Sequence, residues 1–199
     1  MAARHHPTGQ RDRVTALLTM VPMSPSAKAT NRATGALALP GLAVSIITVS
    51  DRASHGTREN ATGPLLVAAF ADLGAVTTHA VVADEVPAIT QALADAIAAG
   101  ARAVITTGGT GIGPRDVTPE ATAPLLAQNL PGVPELLRQR DVAANPFVAL
   151  SRALAGLTAA PQRTLIVNLP GSVSAVTSAL EVLPAIVAHA CAQIDGGDH

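Results

Sequence analysis

The sequence contains very few cysteine, lysine or aromatic residues, and each shortage excludes a class of chemistry. With Cys191 as the one cysteine, an internal disulfide is impossible and a cysteine-based zinc site is excluded. The one lysine, Lys28, lies in the first forty residues, so the region that follows offers no lysine chemistry. Phe70 and Phe147 are too few aromatic side chains for a base-stacking platform. A single cysteine fits a reducing compartment, and we expect a cytoplasmic protein.

Long apolar runs and a strong charge of one sign are also lacking. No stretch of about 18 apolar residues occurs, so we expect no membrane association. Residues 1–40 carry five basic residues and one acidic residue, whereas residues 41–199 carry eight basic and thirteen acidic ones. Because this second part is mildly acidic, a basic nucleic-acid-binding face is excluded and we expect no nucleic acid partner.

Two regions differ in pattern. Residues 1–40 are rich in small polar residues and proline without a sustained apolar period, which predicts a disordered tail. Two alternatives stay open for this tail: residues 11–29 resemble a secretory signal, and Met20 or Met23 could be the true start. Residues 41–199 are predicted to form one folded domain.

The second region alternates between strand and helix patterns. The run 42–49 is β-branched and apolar, as in a buried strand, and further strands are predicted at 75–82, 102–107 and 163–169, the last possibly paired with 157–159. Helices are predicted to start at Thr62, capped by it, at Asp84 or Glu85, and at Thr118, and to span 134–144, 147–154 and 174–194, the last kinked at Pro184. This alternation predicts an α/β fold of three layers, a mostly parallel sheet with helices on both faces.

A glycine-rich segment, 106–120, follows the third predicted strand and leads into a helix. Its backbone N–H groups, the hydroxyls of Thr107 and Thr110 and the cation of Arg115 together favour a phosphate group. The segment is neither a dinucleotide fingerprint nor a P-loop, because Pro114 stands where those motifs need glycine or lysine. On glycine content alone, a tight structural turn is an equally good interpretation.

Two aspartates accompany this segment. Asp116 beside a phosphate site calls for a bridging cation such as Mg²⁺, although it could instead cap the following helix. Asp84 follows the second strand, where a helix N-cap is the commoner role. If the strands are parallel, both carboxylates lie at the same edge of the sheet. Ser50, Asp51 and Arg52 follow the first strand, and Asp51 could line that edge or cap a helix. The histidines outside the termini and the tail, His55, His79 and His189, share no metal-ligand spacing and receive no function.

Four blocks of the sequence resemble the Mog/MoaB family of molybdopterin-binding proteins, which also supplies a domain of gephyrin. They are Val49-Ser50-Asp51-Arg52-Ala53-Ser54, the segment Thr106–Glu120, Leu150-Ser151-Arg152-Ala153, and Asn168-Leu169-Pro170-Gly171-Ser172. The resemblance covers about residues 42–194. It implies an α/β fold, a homotrimer, and binding of molybdopterin beyond the strand ends. Active members transfer AMP from ATP to the terminal phosphate of molybdopterin and release pyrophosphate.

The resemblance also implies roles for individual residues. Asp84 and Asp116 match the essential acids, which we expect to be catalytic and to hold Mg²⁺. The expected molybdopterin or phosphate contacts are Thr107, Gly108, Gly109, Thr110, Gly111, Arg115, Ser151, Pro170, Gly171 and Ser172. The expected nucleotide contacts are Ser50, Asp51, Asp84, Thr118 and Glu120.

Three other functions stay open for the sequence. The first is a paralogue that binds molybdopterin without adenylylating it, and the second is a nucleotide pyrophosphatase of the kind found in competence-associated proteins. The third is a purely structural subunit of a cofactor-synthesis complex. The length excludes the molybdate-inserting enzyme itself, so we expect that enzyme at most as a separate partner that receives the product.

Overall fold

The computed structural model describes residues 37–57 and 59–197, and these form a six-stranded sheet covered by helices. The strands are β1 (Ala43–Val49), β2 (Val76–Val82), β3 (Ala103–Thr107), β4 (Gln128–Asn129), β5 (Ala155–Leu157) and β6 (Leu165–Leu169). The helices are α1 (Asp51–Ser54), α2 (Thr62–Asp72), α3 (Val86–Ala98), α4 (Thr118–Thr122), α5 (Gly132–Asp141), α6 (Val173–Leu180) and α7 (Leu183–Ile194), with 3₁₀ turns at Ala123–Leu125 and Pro146–Leu150.

The strand order is β2-β1-β3-β6-β5-β4, and the first four strands are mutually parallel. β5 pairs antiparallel with β6, and β4 antiparallel with β5. The predicted α/β class with a mostly parallel sheet is therefore confirmed. The hairpin partner of β6 is also confirmed, although it begins at Ala155, two residues before the predicted segment.

The apolar side chains of the central strands alternate between two hydrophobic clusters, one on each face of the sheet. Ile46 and Ile105 belong to the cluster that packs with Leu66 and Phe70 of α2 and with α6 and α7. Their neighbours Ile47 and Val104 belong to the cluster that contains Ile89 and Leu93 of α3. Because successive residues of a strand point to opposite faces, an all-apolar strand needs helices on both sides. The predicted three-layer arrangement is confirmed.

Three predicted helices differ in the structure. Thr62 is the first helical residue of α2 but does not cap it; instead the Asn60 side chain accepts from the Gly63 N–H at 3.1 Å. The helix predicted over 147–154 is a 3₁₀ turn that ends at Leu150, because the N–H groups of Arg152 and Leu154 donate to Thr110 and Asn168 instead. The helix predicted over 174–194 is divided into two helices, α6 and α7, and the chain bends by 54° between them.

The folded region begins before the predicted boundary at residue 41. Leu39 is buried in the cluster that contains Phe70, and its N–H donates to the Leu73 carbonyl oxygen at 2.7 Å. The predicted tail over 1–36 lies outside the described residues. Among the residues that the structure describes, no single helix is long and apolar enough to cross a membrane, whereas α6 and α7 together pass on length and composition.

Asn168, in the middle of the sheet, joins three elements through one buried amide. Its Nδ2 donates to Thr106 Oγ1 at 3.0 Å and to Thr122 Oγ1 at 3.1 Å, while its Oδ1 accepts from the Leu154 N–H at 3.2 Å. Replacement by alanine leaves these buried groups unsatisfied, so we expect Asn168→Ala to lower the free energy of unfolding by about 2 kcal/mol. Urea denaturation measures this loss.

The matched control is Asn129→Ala, because Asn129 is an asparagine of the same sheet with an exposed side chain. We expect this control to change the free energy of unfolding by less than about 0.5 kcal/mol. Equal stabilities of the two variants would show that the Asn168 network contributes nothing to the fold.

Candidate active site

A cavity of about 510 Å³ opens at the carboxyl ends of the parallel strands. Ligands bind in parallel sheets at this edge, because the loops that leave neighbouring strands diverge there. The described residues that line the cavity are Thr48, Val49, Ser50, Asp51, Arg52, Ala53, Glu59, Asn60, Ala61, Thr62, Asp84, Thr107, Gly108, Gly109, Arg115, Asp116, Gly171, Ser172 and Val173. The two predicted acids, Asp84 and Asp116, therefore share one cleft, as the sequence predicts.

The floor of the cleft is the glycine turn after β3. Gly108 and Gly109 have φ angles of 108° and 62°, which residues other than glycine rarely adopt. The Gly108 N–H donates to the Leu169 carbonyl oxygen at 3.0 Å, and the Gly108 carbonyl oxygen accepts from Thr118 Oγ1 at 2.9 Å. These bonds attach the turn to β6 on one side and to α4 on the other. Its backbone conformation is therefore set before any ligand arrives.

Asp84 faces the cleft and does not cap α3. The cap residue of that helix is Glu85, which makes no side-chain capping bond, so the expected cap role of Asp84 is wrong. Asp84 Oδ2 instead accepts from the Asp51 N–H at 2.7 Å, and Asp51 Oδ1 accepts from the Asp84 N–H at 3.0 Å. Burial raises the pKa of Asp84, and the nearby Asp51 and Asp116 carboxylates raise it further. An ionised Asp84 therefore favours a cation in the cleft.

Arg115 and Asp51 form an ion pair at the rim of the cleft. Arg115 Nε donates to Asp51 Oδ2 at 3.0 Å and its terminal nitrogen donates to Asp51 Oδ1 at 2.8 Å. This two-point contact lowers the pKa of Asp51. The Arg115 guanidinium, expected as a phosphate contact, is thus held by a carboxylate at the same edge of the cleft.

Asp116 is held within the glycine segment. Its Oδ2 accepts from the Gly113 N–H at 2.9 Å, and its own N–H donates to the Gly113 carbonyl oxygen at 3.0 Å. The alternative role of Asp116 as a cap of α4 is therefore wrong, because the N-cap of that helix is Val117 and no side chain caps it. The lining of the cleft nevertheless includes Asp116.

On the opposite side, Gly171 and Ser172 approach the glycine turn. The Ser172 side chain accepts from the Ala175 N–H at 3.3 Å and so caps α6. A Cβ on Gly171 would stand 3.1 Å from the Gly108 Cα, so the close approach of the two turns favours glycine there. The start of α6, at Ser172 and Val173, thus brings the positive end of that helix to the cleft.

Six residues that were predicted to contact a ligand do not line this cleft: Thr110, Gly111, Ser151, Pro170, Thr118 and Glu120. Thr118 is fully buried beneath the glycine turn. Ser151 Oγ lies 3.5 Å from Thr110 Oγ1, and Ser151 and Pro170 line a second, smaller cavity. Glu120 pairs with Arg152. The remaining predicted residues, Ser50, Asp51, Thr107, Gly108, Gly109, Arg115, Gly171 and Ser172, line the cleft with the two acids.

Sequence reasoning missed the wall formed by residues 59–62. Asn60, which lines the cleft, donates from Nδ2 to His79 Nε2 at 3.1 Å, and Thr48 Oγ1 lies 3.1 Å from the same nitrogen. Burial lowers the pKa of His79 and so favours the neutral ring that accepts from Asn60. The sequence contained a signal for the capping role of Asn60, in Asn60-Ala61-Thr62-Gly63-Pro64. Asparagine before a first helical turn that contains proline is a frequent cap.

The charge of the cleft fits a divalent cation that is shared with a ligand. Among the described lining residues, four carboxylates outnumber two guanidinium groups, although the cleft has the glycine and helix-start features of a phosphate site. No group of three or more His, Cys, Asp or Glu side chains that could hold a metal ion occurs in residues 37–57 and 59–197. Mg²⁺ commonly takes only one or two carboxylates and completes its shell with phosphate oxygens and water, so Asp84 and Asp116 suit it.

Comparisons with known proteins point to one family. A family model described as a probable molybdopterin binding domain matches residues 45–189. The molybdenum cofactor biosynthesis bifunctional protein of Synechococcus elongatus is 41% identical over 167 residues, which are 83% of this chain and 51% of that protein. The chain thus spans about half the length of this relative. The molybdopterin adenylyltransferase of Pyrococcus furiosus is 38% identical over 72% of this chain and 86% of its own length.

A solved structure is similar over the same region. The tungsten cofactor synthesizing protein MoaB from Pyrococcus furiosus matches with a TM-score of 0.73 and 34% identity, over 79% of this chain and 99% of that one. The similarity therefore extends from the sequence to the arrangement of the elements that surround the cleft.

Proposed function

Because the chain belongs to the family of probable molybdopterin binding domains, we propose that it acts in molybdenum cofactor biosynthesis and transfers AMP from ATP to molybdopterin. An oxygen of the terminal phosphate of molybdopterin bonds to the α-phosphorus of ATP, the bond between the α- and β-phosphates breaks, and pyrophosphate leaves. The observation that carries this proposal is one cleft that places Asp84 and Asp116 beside a preformed glycine turn.

The main obstacle to this reaction is repulsion between two anionic substrates. The attacking phosphate already carries negative charge, so no strong general base is required. The chain contributes positions for both substrates: the Gly108–Gly109 turn and the start of α6 provide backbone N–H groups for one phosphate. Asp84 and Asp116 would hold Mg²⁺, which when bound neutralises the nucleotide phosphates. Arg115 adds a cation at the rim, once its contact with Asp51 is shared with a phosphate.

Incubation of the purified chain with molybdopterin, Mg²⁺ and α-labelled ATP tests the function directly. We expect label in an adenylylated pterin and one pyrophosphate released for each transfer. Binding of molybdopterin without label transfer would support a binding paralogue instead. ATP breakdown that does not depend on molybdopterin would support a nucleotide pyrophosphatase, and no affinity for either compound would support a structural subunit.

We further propose that the chain works as a homotrimer and hands its product to a molybdate-inserting partner. The Synechococcus elongatus relative supports the hand-over, because it is named a bifunctional protein and this chain spans 51% of its length. Light scattering during gel filtration tests the trimer, with a mass of three chains expected and the mass of a single 19.9 kDa chain contradicting it.

The raised pKa of Asp84 predicts that its charge costs stability in the absence of a cation. Asp84→Asn keeps an oxygen that accepts from the Asp51 N–H and removes the charge. Since the folded-state pKa lies above the ordinary value of 3.8, the penalty is absent in acid and grows as the pH rises through the folded-state pKa. We expect the variant to unfold about 2 °C above the parent at pH 7, and at the same temperature as the parent below the ordinary pKa.

Thermal unfolding in metal-free buffer, followed from acid to neutral pH, measures this difference. Asp72→Asn is the control, because Asp72 is an exposed acid at the end of α2. It should show no gain that grows with pH. An Asp84→Asn chain less stable than the parent at neutral pH would contradict the predicted penalty.

A further inference from the structure

Arg152 lies behind the cleft and contacts the segment that carries Asp116. Its Nε donates to the Gly111 carbonyl oxygen at 2.7 Å, and its backbone N–H donates to the Thr110 carbonyl oxygen at 2.8 Å. One terminal nitrogen donates to the Asp116 carbonyl oxygen and the other to the Glu120 carboxylate. One side chain therefore ties both ends of the segment 111–116 to the same point.

The segment 111–116 has few other anchors. It leaves the end of the glycine turn, contains Gly111, Gly113 and Pro114, and belongs to no helix or strand. Among the described residues, its internal bonds join Gly113 and Asp116, and its contacts across the cleft are the ion pairs of Arg115 with Asp51 and Glu85. Chain segments without regular structure lose conformational freedom only where specific contacts hold them. The planar, five-donor guanidinium of arginine suits three acceptors at once.

Glu120 holds the guanidinium in place. Its carboxylate pairs with Arg152, and this contact lowers the pKa of Glu120. Neither residue is part of the described lining of the cleft. Glu120 was expected to contact the nucleotide, whereas its position behind the glycine segment suits the orientation of Arg152. Both residues are therefore placed to act through the loop.

We propose that Arg152, oriented by Glu120, is a positioning residue for AMP transfer that fixes the backbone of 111–116 so that the Asp116 carboxylate meets the metal-bound nucleotide. This inference rests on the proposed function. This role differs from general stabilisation of the fold, because the loss of Arg152 should affect the order of one loop and the Mg²⁺ dependence of the rate. It also assigns a function to Arg152 without a contact to either substrate.

The test compares Arg152→Ala with Arg140→Ala. Arg140 is a matched control, since its side chain is 28% exposed against 37% for Arg152, and it also pairs with a glutamate, Glu181, but from α5. We expect Arg152→Ala to lower kcat by about a hundredfold, the size of effect that a misplacement near 1 Å produces. The Mg²⁺ concentration for half-maximal rate should rise, whereas KM for molybdopterin should stay within about twofold. Arg140→Ala should leave all three quantities within about twofold of the parent.

Amide hydrogen exchange supplies a readout that does not depend on catalysis. We expect faster exchange confined to residues 110–117 in Arg152→Ala and parental exchange there in Arg140→Ala. Arg152→Lys should resemble Arg152→Ala, because a single ammonium group cannot span two carbonyl oxygens and a carboxylate.

The outcomes separate the inference from the proposed function. If the parent chain forms adenylylated pterin and Arg152→Ala keeps its kcat, the inference is wrong and the proposed function stands. If the parent forms none, the proposed function is wrong, and exchange alone decides whether Arg152 positions the loop. Exchange in 110–117 equal to that of the parent overturns the inference. So does faster exchange across the whole sheet, since that indicates general stabilisation.

Discussion

Asp116→Asn should lower kcat for AMP transfer by about a thousandfold, because it removes one of two carboxylates that would hold the metal. Asparagine keeps an oxygen that accepts from the Gly113 N–H, so the loop retains the bond that Asp116 Oδ2 makes at 2.9 Å. An alanine at this position would remove that bond as well and would confuse a chemical loss with a structural one. We therefore expect the glycine turn and molybdopterin binding to survive the substitution.

Single-turnover transfer with labelled ATP, together with direct titration of molybdopterin, measures the two properties separately. KM for molybdopterin should change less than about twofold, because the lost carboxylate acts on the nucleotide side. Asp72→Asn, which changes an exposed acid remote from the cleft lining, should transfer AMP at the parental rate. Full turnover by Asp116→Asn would show that Asp116 has no catalytic role. A loss of molybdopterin affinity as large as the loss of kcat would assign Asp116 to pterin binding instead.

The parts of the site that lie close together in sequence were predictable. Gly108 and Asp116 belong to one continuous stretch, so their spacing alone indicates a tight turn with an acid beside it. Asp84 was predictable as a cleft residue from the parallel sheet, since the ends of parallel strands meet at one edge. The family resemblance, carried by the same stretch and three shorter blocks, is confirmed by the matched family model and the relatives.

The parts that depend on distant contacts were not predictable. Arg152 meets Glu120 across 32 residues, and His79 meets Asn60 across 19, and no local pattern encodes either pair. The irregular stretch after Leu150 was predicted to be the end of a helix over 147–154. In the structure, backbone N–H groups there serve the glycine segment and Asn168, and these tertiary bonds outweigh local helix propensity.

Gly108→Ala should be the most destabilising single substitution considered, at about 3 kcal/mol or more of unfolding free energy. Gly108 has a φ of 108°, where a Cβ is strained, and that Cβ would overlap the Val49 carbonyl oxygen. Val49 ends a central strand and cannot retreat without breaking the sheet. The neighbouring bonds to Leu169 and Thr118 also hold the turn, so it cannot rotate away from the clash.

Gly41→Ala separates the two causes of this loss. Gly41 also has a positive φ, of 71°, but a Cβ there would meet nothing within 4 Å, so only the backbone strain of about 1 kcal/mol applies. Urea denaturation of both variants then measures the clash as the difference between them. If Gly108→Ala unfolds no more easily than Gly41→Ala, the turn can move without cost. A turn with that freedom would not be the preformed phosphate cradle on which the proposed reaction depends, because its N–H groups would have to be ordered by the ligand itself.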